Sequence, residues 1–262
     1  MSNLNKISLF LDSGAFSAWS KGIEININDY IHFIKEHEQY IDVYANLDSI
    51  GNPEKTLQNQ KVMEEAGLSP LPCFHYGEDI KYLKYYLRYY QYIALGGMVP
   101  ISNTPLVKWL DNLFISHICN QDGSPKVKVH GFGLTSVQLM IRYPWYSVDS
   151  TSWVLTGRFG AVYVPKMKNG NYDYLQIPYK VIVSDKSPSQ KQEGKHINTF
   201  SGGEKRKVLE YFEEKGYCLE GLSSEYKKRD ELNIIYFLDL EKALPEWPWA
   251  FKVKKAGNLG LV

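Results

Sequence analysis

The strongest constraint in this sequence is a regular alternation over its first 150 residues. Short apolar runs that read as strands are separated by amphipathic segments that read as helices. Alternation at this spacing is typical of right-handed βαβ units, which set their strands side by side in a parallel sheet. The six predicted strands are Ile7–Leu11, Ile41–Leu47, Leu71–Tyr76, Tyr92–Leu95, Val127–Phe132 and Tyr146–Asp149.

With six strands already placed, the pattern favours an irregular (β/α)8 TIM-like barrel over an open doubly wound sheet. We predict one domain over residues 1–262, with a barrel core at 7–160. Residues 161–262 would complete the barrel and add a surface that faces nucleic acid. In that second part the apolar run Asn233–Leu240 is predicted to be a strand, and Ser201 with Glu204 forms a capping-box pattern at a helix start.

The bulk properties exclude several classes of protein. The net charge is +1, so the chain is no polycation, and no apolar run approaches the ~18 residues that a membrane span needs. Cys73, Cys119 and Cys218 are far apart, without zinc-ligand spacing, and a sparse odd count is typical of a reducing cytoplasm. We therefore expect a cytoplasmic protein with no membrane partner, no metal site and no cofactor.

Three of the predicted strands end at or next to an acid: Asp12, Asp48 and Asp149. In parallel α/β folds the carboxyl ends of the strands hold the active site. Glycosyl chemistry uses such acids, because one carboxylate can attack the anomeric carbon while a second moves a proton. Acids in these positions also serve as helix caps and loop anchors, so the spacing alone leaves both readings open.

Local sequence segments favour the catalytic reading of these acids over a role as helix caps or loop anchors. Asp12–Ser17 (Asp-Ser-Gly-Ala-Phe-Ser) resembles the Asp-Ser-Gly-Gly-Phe-Gln segment of tRNA-guanine transglycosylases. Ala94–Met98 resembles the Ala-Leu-Gly-Gly-Leu segment of that family, and His130–Thr135 is similar to its Gly-Val-Gly-Thr strand end. Ser147–Ser150 falls where the family has Phe-Asp-Cys, and Thr156–Gly160 is loosely similar to the basic segment after it. The order and approximate spacing of these segments agree with the family over residues 7–160.

The resemblance implies a barrel enzyme that exchanges guanine in a nucleic acid for a 7-deazaguanine such as preQ0 or preQ1. Asp149 would be the nucleophile that attacks C1′, and Asp12 the general acid and base. Asp48 would accept hydrogen bonds from the N–H edge of the base, and the N–H groups of Gly96 and Gly97 would contact its carbonyl oxygen. The remaining implied base contacts are Ser13, Gly14, Phe16 and His75.

The chain departs from the family at two places. The zinc-binding cysteines and histidine that follow the nucleophile are absent, since Tyr163–Asn171 contains neither residue type, and His75 stands where the family has Gln. The missing zinc subdomain favours the DNA-guanine transglycosylases of phages and some bacteria, which modify DNA to evade restriction. The expected partners are therefore DNA, with tRNA as the alternative, and a free 7-deazaguanine base. A phage-encoded enzyme of this kind would act in the host cytoplasm, as a homodimer or with a helper protein.

Phosphate contacts are predicted at Arg158, Lys166 and Lys168, with the basic runs 205–207 and 227–229 as further sites. Two other functions stay open. The same acids could serve an N-glycosylase or glycosidase that uses water as the acceptor, or the chain could be a non-catalytic subunit that binds nucleic acid.

Overall fold

The computed structural model describes residues 8–134, 136–188 and 193–252. The fold is mixed α/β and consists of two compact units. The first unit comprises Met1–Phe132, Trp145–Val148 and Ala250–Val262, and the second comprises Gly133–Pro144 and Asp149–Trp249. Within the described ranges, no helix is long and apolar enough to cross a membrane.

Six parallel strands form the centre of the first unit, and each lies beside its predecessor in the chain. Strand β1 pairs with β2, and β3, β4, β5 and β6 follow in that order. A parallel bridge between Ala45 and Leu71 joins the two groups. The strands are β1 Phe10–Leu11, β2 Val43–Tyr44, β3 Cys73–His75, β4 Tyr92–Gly96, β5 Lys128–Gly131 and β6 Ser147–Val148. Every strand predicted over the first 150 residues is therefore confirmed; five have shorter bounds, β4 extends one residue further to Gly96, and Ile7 of the first prediction lies outside the described residues.

Helices connect these strands. Those of the first unit are α1 Ala15–Ser20, α2 Ile27–His37, α3 Pro53–Glu65, α4 Ile80–Tyr89 and α5 Asn103–Leu113, with a 3-10 turn at Glu38–Tyr40 and a π-helical turn at Phe114–Ile118. Helix α3 follows the sequence rules closely. The Asn52 side chain accepts the Lys55 N–H, Pro53 occupies the first helical position, and Gly67 follows the helix end at φ +85°.

The sheet is strongly curved. In a flat sheet β1 and β5 would lie about 19 Å apart, four strand spacings. Instead the Phe10 ring on β1 stacks on the His130 ring on β5 with a centroid separation of 4.4 Å. Phe10 also packs on a buried cluster formed by Leu71, Cys73 and Ala94. The concave face of the sheet is therefore a packed core.

The second unit has a different organisation. Strand β7 Ala161–Val164 pairs antiparallel with β10 Tyr179–Ile182, and β8 Lys166–Lys168 forms a hairpin with β9 Asn171–Asp173. The hairpin turn needs two residues with positive φ, which Asn169 (52°) and Gly170 (82°) provide. The helices are α6 Val137–Arg142, α7 Ser152–Arg158, α8 Gly202–Glu214, α9 Leu219–Ser224 and α10 Tyr226–Ala243, with a 3-10 turn at Ile197–Thr199.

Helix α8 begins where the sequence predicts. The Ser201 side chain accepts the Glu204 N–H, and the Glu204 carboxylate accepts the Ser201 N–H, which completes the capping box.

The predicted strand Asn233–Leu240 is wrong, because these residues lie within α10. The buried residues Leu232, Tyr236 and Leu240 are four positions apart, which is the spacing of one helix face. Asn233 is fully buried on this helix and fixes the neighbouring backbone. Its side chain accepts the Tyr163 N–H and donates to the carbonyl oxygens of Trp153 and Ala161.

Candidate functional site

Two adjacent strand ends carry the centre of the site. Strands β3 and β4 are parallel neighbours, and His75 at the end of β3 is in register with Gly96 at the end of β4. The Tyr76 N–H donates to the Gly96 carbonyl at 3.0 Å, which holds the two ends together. Asp48 follows β2 and reaches the same edge. Carboxyl ends of parallel strands thus bring these side chains together, as the sequence predicts.

Four side chains meet there and are named here the strand-end cluster: Asp48, Cys73, His75 and Glu78. His75 is at its centre. Its Nε2 lies 3.3 Å from Asp48 Oδ2, and its Nδ1 lies 3.1 Å from Glu78 Oε1. The other Glu78 oxygen accepts the His75 backbone N–H at 2.9 Å. Both ring nitrogens of His75 therefore face carboxylates.

The cluster is almost fully buried. The Asp48 and Glu78 side chains are 9% and 8% exposed, and His75 is 15% exposed. Oδ1 of Asp48 is buried and accepts no hydrogen bond from any described residue. Two buried carboxylates thus share one imidazole, which leaves an excess of negative charge away from water.

Burial shapes the electrostatics of the cluster. It raises the pKa of the Asp48 carboxyl, although the hydrogen bond with His75 lowers that pKa in part. For His75, burial opposes the charged ring, but Cys73, Asp48 and Glu78 together raise its pKa above the usual range. Because burial raises the pKa of the Cys73 thiol to about 12, the thiol is neutral near neutral pH.

Cys73 and Glu78 were missed by the sequence reasoning. Cys73 is two residues before His75 on the same strand, so both side chains lie on one face. Its Sγ is 3.5 Å from His75 Nε2. Glu78 follows a turn in which Gly77 has φ +86°, and this turn brings the carboxylate back onto His75. The Cys-x-His spacing is the sequence signal from which the contact of Cys73 with His75 can be predicted.

The glycine pair at the end of β4 has a packing role. A Cβ on Gly96 would lie 2.8 Å from Cys73 Sγ and 2.9 Å from His75 Cδ2. Gly97 has φ +69°, and a Cβ there would lie 3.1 Å from the Tyr76 backbone nitrogen. Both positions therefore require glycine for packing on β3, and the proposed base contact of their N–H groups stays a prediction.

The segment after β1 forms a tight turn into α1. The Asp12 carboxylate accepts the Gly14 N–H at 3.4 Å, and the hydroxyl of buried Ser13 accepts the Ala15 N–H at 3.4 Å. Gly14 has φ 72° and precedes the first helical residue. Asp12 is solvent-exposed, yet it is near enough to Asp48 for its charge to raise the pKa of Asp48 further. Phe16 is exposed on α1 and contacts Trp19.

A cleft of about 750 Å³ opens beside the cluster within the first unit. Asp48 and Ser49 line it from the end of β2, and Ala15 and Trp19 line it from α1. Of the predicted site residues that the structure describes in this unit, Asp48 lines the cleft, whereas the others do not: Asp12, Ser13, Gly14, Phe16, His75, Gly96 and Gly97. Asp48 is thus the cluster member that borders open space large enough for a planar heterocycle.

The remaining predicted residues belong to the second unit. Asp149 is exposed, and its Oδ1 accepts the Gly133 N–H at 2.6 Å. This bond anchors the backbone after β5, where Gly133 has φ 60°. Lys166 and Lys168 lie two residues apart on β8, with the Lys166 ammonium 5.6 Å from the centre of the Tyr179 ring.

Arg158 lines a second cleft, of about 540 Å³, within the second unit. Lys186 adds a second cation, and Ser184, Ser187 and Tyr226 add hydroxyl groups. Phe159, which is 74% exposed, lies at its edge. Cations, hydroxyls and an exposed aromatic ring are the groups that bind a nucleic-acid backbone and stack on a base.

The basic run at 227–229 is only partly exposed. Arg229 is buried and donates to the carbonyl oxygens of Gly157, Leu222 and Ser223. Arg229 also lines the cleft of Arg158, and its phosphate contact stays a prediction. Lys228 pairs with Glu225 at 2.7 Å on the surface, and the run at 205–207 lies on α8, where Arg206 is 75% exposed.

No protein-family model, no curated protein and no solved structure matches this chain. Its function must therefore be argued from the residues described above.

Proposed function

We propose that the chain is a base-exchange transglycosylase that replaces guanine in DNA with a 7-deazaguanine through a covalent bond to Asp149. The strand-end cluster is the observation that carries the proposal. It places a buried carboxylate on the edge of a cleft, at the carboxyl ends of parallel strands, where the family resemblance puts the base pocket. The family's fold, an irregular (β/α)8 barrel, is part of the same proposal. The consecutive strand order and the contact of Phe10 with His130 support it.

The chemistry has two steps. An oxygen of Asp149 attacks C1′ of the target nucleoside, the bond from C1′ to N9 of guanine breaks, and guanine leaves with a proton from Asp12. The incoming 7-deazaguanine then gives its N9 proton to Asp12, and its N9 attacks C1′ and displaces Asp149. The exposure of Asp149 suits a nucleophile that must reach a nucleotide extruded from its stack.

In this proposal, residues of the first unit recognise the base. A carboxylate only accepts hydrogen bonds, so Asp48 fits the two N–H groups on the edge of a guanine-like base. His75 would hold Asp48 in place, because both of its ring nitrogens face carboxylates. This differs from the direct base contact that the sequence predicts for His75. Ser13, Gly14 and Phe16 keep their predicted roles as contacts beside Asp12.

In the same proposal, residues of the second unit bind DNA. The cleft with Arg158 and Lys186 supports it, since two cations with surrounding hydroxyls match a phosphate and Phe159 offers a face for a base. Lys166 and Lys168 on β8 are the further proposed phosphate contacts.

The test measures uptake of radiolabelled guanine into duplex DNA and, separately, into tRNA. We expect label in DNA with the intact chain, and loss of uptake on the order of 10⁴-fold or more with Asp149→Asn, as for other nucleophile replacements. Asp29→Asn, an exposed acid on α2, is the matched control and should keep full uptake.

Other outcomes decide between the alternatives. Label in tRNA alone would assign the chain to the tRNA branch. Release of base without uptake would indicate a hydrolase. Absence of both, with DNA binding retained, would indicate a non-catalytic nucleic-acid-binding subunit.

A further inference from the structure

Three donor atoms of the strand-end cluster converge at one point. One carboxylate oxygen of Asp48, the Cys73 Sγ and one ring nitrogen of His75 all lie within 4.8 Å of one another. Carboxylate oxygen, thiolate sulfur and imidazole nitrogen are the three donor types that bind Zn²⁺ in proteins. Cys73 and His75 lie on one face of β3, and Asp48 lies in the segment that follows β2.

The two separations measured from His75 agree with tetrahedral coordination, and the third, between Cys73 and Asp48, is at most 4.8 Å. With ordinary Zn–N, Zn–O and Zn–S bond lengths, ligands at tetrahedral angles have N···O near ~3.4 Å and N···S near ~3.6 Å. The observed distances from His75 Nε2 are 3.3 Å to Asp48 Oδ2 and 3.5 Å to Cys73 Sγ. An ion could therefore bind between these atoms with small side-chain movements, and it would displace the proton of the Cys73 thiol and any proton on His75 Nε2, which pass to solvent.

A fourth residue supplies the outer part of such a site. Histidines that bind a metal through one nitrogen almost always donate the other N–H to a carboxylate or carbonyl, which fixes the ring. Glu78 Oε1 lies 3.1 Å from His75 Nδ1, and Glu78 Oε2 is itself held by the His75 backbone N–H. Glu78 thus orients His75 with Nε2 pointing toward Asp48 and Cys73.

The charge of the cluster also favours a bound cation. Asp48 and Glu78 are both about nine-tenths buried, with one imidazole between them. Buried charges in proteins are paired or bind metals, because an uncompensated one is costly. Asp48 Oδ1 is a buried oxygen with no hydrogen-bond donor among the described residues. A divalent cation would compensate this excess negative charge.

We propose that Asp48, Cys73 and His75 bind one divalent transition-metal ion, Zn²⁺ by the character of its donors, and that Glu78 is the residue that positions His75. Three protein ligands leave a fourth position for water or a substrate atom, as in zinc sites that act on substrates. This site is distinct from the lost zinc site of the family, which follows the nucleophile. The inference does not rest on the proposed function, because it concerns metal binding by the chain alone.

The test uses Co²⁺, which reports its own coordination. The purified full chain is stripped with a chelator and titrated with Co²⁺ in the absence of nucleic acid. We expect one equivalent to bind with the visible bands of tetrahedral Co²⁺ and a thiolate-to-cobalt charge-transfer band in the near ultraviolet. Zn²⁺ should then displace it. A spectrum of octahedral Co²⁺ only, or no saturable binding, would overturn the proposal.

Three variants locate the site. Cys73→Ser should remove the charge-transfer band, whereas Cys119→Ser, the other buried cysteine of the first unit, should leave it unchanged. Persistence of the band in Cys73→Ser would overturn the assignment. Glu78→Gln should keep the band and weaken Co²⁺ binding by about 10- to 100-fold, the usual effect of losing such a carboxylate. An unchanged affinity would remove the positioning role of Glu78.

Discussion

The strand-end cluster of the first unit and the Arg229–Asn233 face of helix α10 in the second unit both bury polar side chains, but they use them differently. Arg229 and Asn233 bond only to backbone groups, three contacts each. The cluster members bond mainly to one another, and one Asp48 oxygen stays without a donor among the described residues. Buried polar groups that bond the backbone hold loops together, whereas a cluster with spare bonding capacity is suited to a ligand.

Loss of the Asn233 side chain should have the largest effect on stability. Asn233→Ala leaves the Tyr163 N–H and the Trp153 carbonyl without their partner in a buried place, so the free energy of unfolding should fall by about 3 kcal/mol. Urea denaturation measures this. Asn198→Ala, an exposed position in the same unit, should change it by less than about 0.5 kcal/mol. Equal effects from the two variants would contradict the structural role given to Asn233.

A methyl group on Gly96 should have the next largest effect. Gly96→Ala presses on Cys73 and His75, and overpacking of this kind costs about 1–3 kcal/mol. Gly203→Ala is the matched control in the second unit, because no atom lies within 4 Å of a Cβ there. It should instead stabilise helix α8 by about 0.5–1 kcal/mol. Thermal unfolding of both variants gives the comparison, and a tolerated alanine at position 96 would mean that the cluster is loosely packed.

Substitutions at two helix caps should change the free energy of unfolding by smaller amounts. Ser201→Ala removes the capping box of α8 and should cost about 1 kcal/mol. Ser102 precedes α5 in the first unit without a side-chain cap bond, so Ser102→Ala should cost only about a few tenths of a kcal/mol. Chemical denaturation should separate the two variants. A reversed order would show that the Ser201 bonds are weak in solution.

The smallest stability effect is expected at Asp48, where the functional effect should be large. Asp48→Asn removes one of two carboxylates that share His75, so the free energy of unfolding should change by less than about 1 kcal/mol, since the remaining pair with Glu78 compensates the ring. Labelled-guanine uptake should fall about 100-fold or more, because the amide turns a donor toward the base N–H edge. A loss of stability as large as that of Asn233→Ala would show that the main role of the cluster is to stabilise the fold.

The sequence predicts the six parallel strands because their signals are local. Strand ends are marked by Gly or an acid, as at Gly96, and helix starts by signals such as Asn-Pro at Asn52, and these signals act on the adjacent backbone alone. The segment 233–240 was misread because its apolar residues are dense enough to resemble a strand. Only the four-residue spacing of Leu232, Tyr236 and Leu240 identifies it as a helix.

The strand-end cluster was predictable only in part. Asp48 and His75 could be placed because each closes a strand. The roles of Cys73 and Glu78 depend on the bridge between Ala45 and Leu71, which brings Asp48 beside β3, and on the turn at Gly77; a single sequence does not reveal either feature. The packing requirement at Gly96 also depends on its neighbour β3, so a single sequence could not separate it from a substrate contact.

The first unit includes a short segment from far along the chain, at Phe251. The Phe251 N–H donates to the Gly123 carbonyl, and the Phe251 ring packs on Phe114. During synthesis on a ribosome, position 123 emerges well before position 251. At ordinary elongation speeds the interval is on the order of 10 seconds. Through that time the Phe114 ring lacks its contact with Phe251, so a nascent chain of this protein has an apolar patch that a chaperone can bind and that closes only after position 251 has emerged.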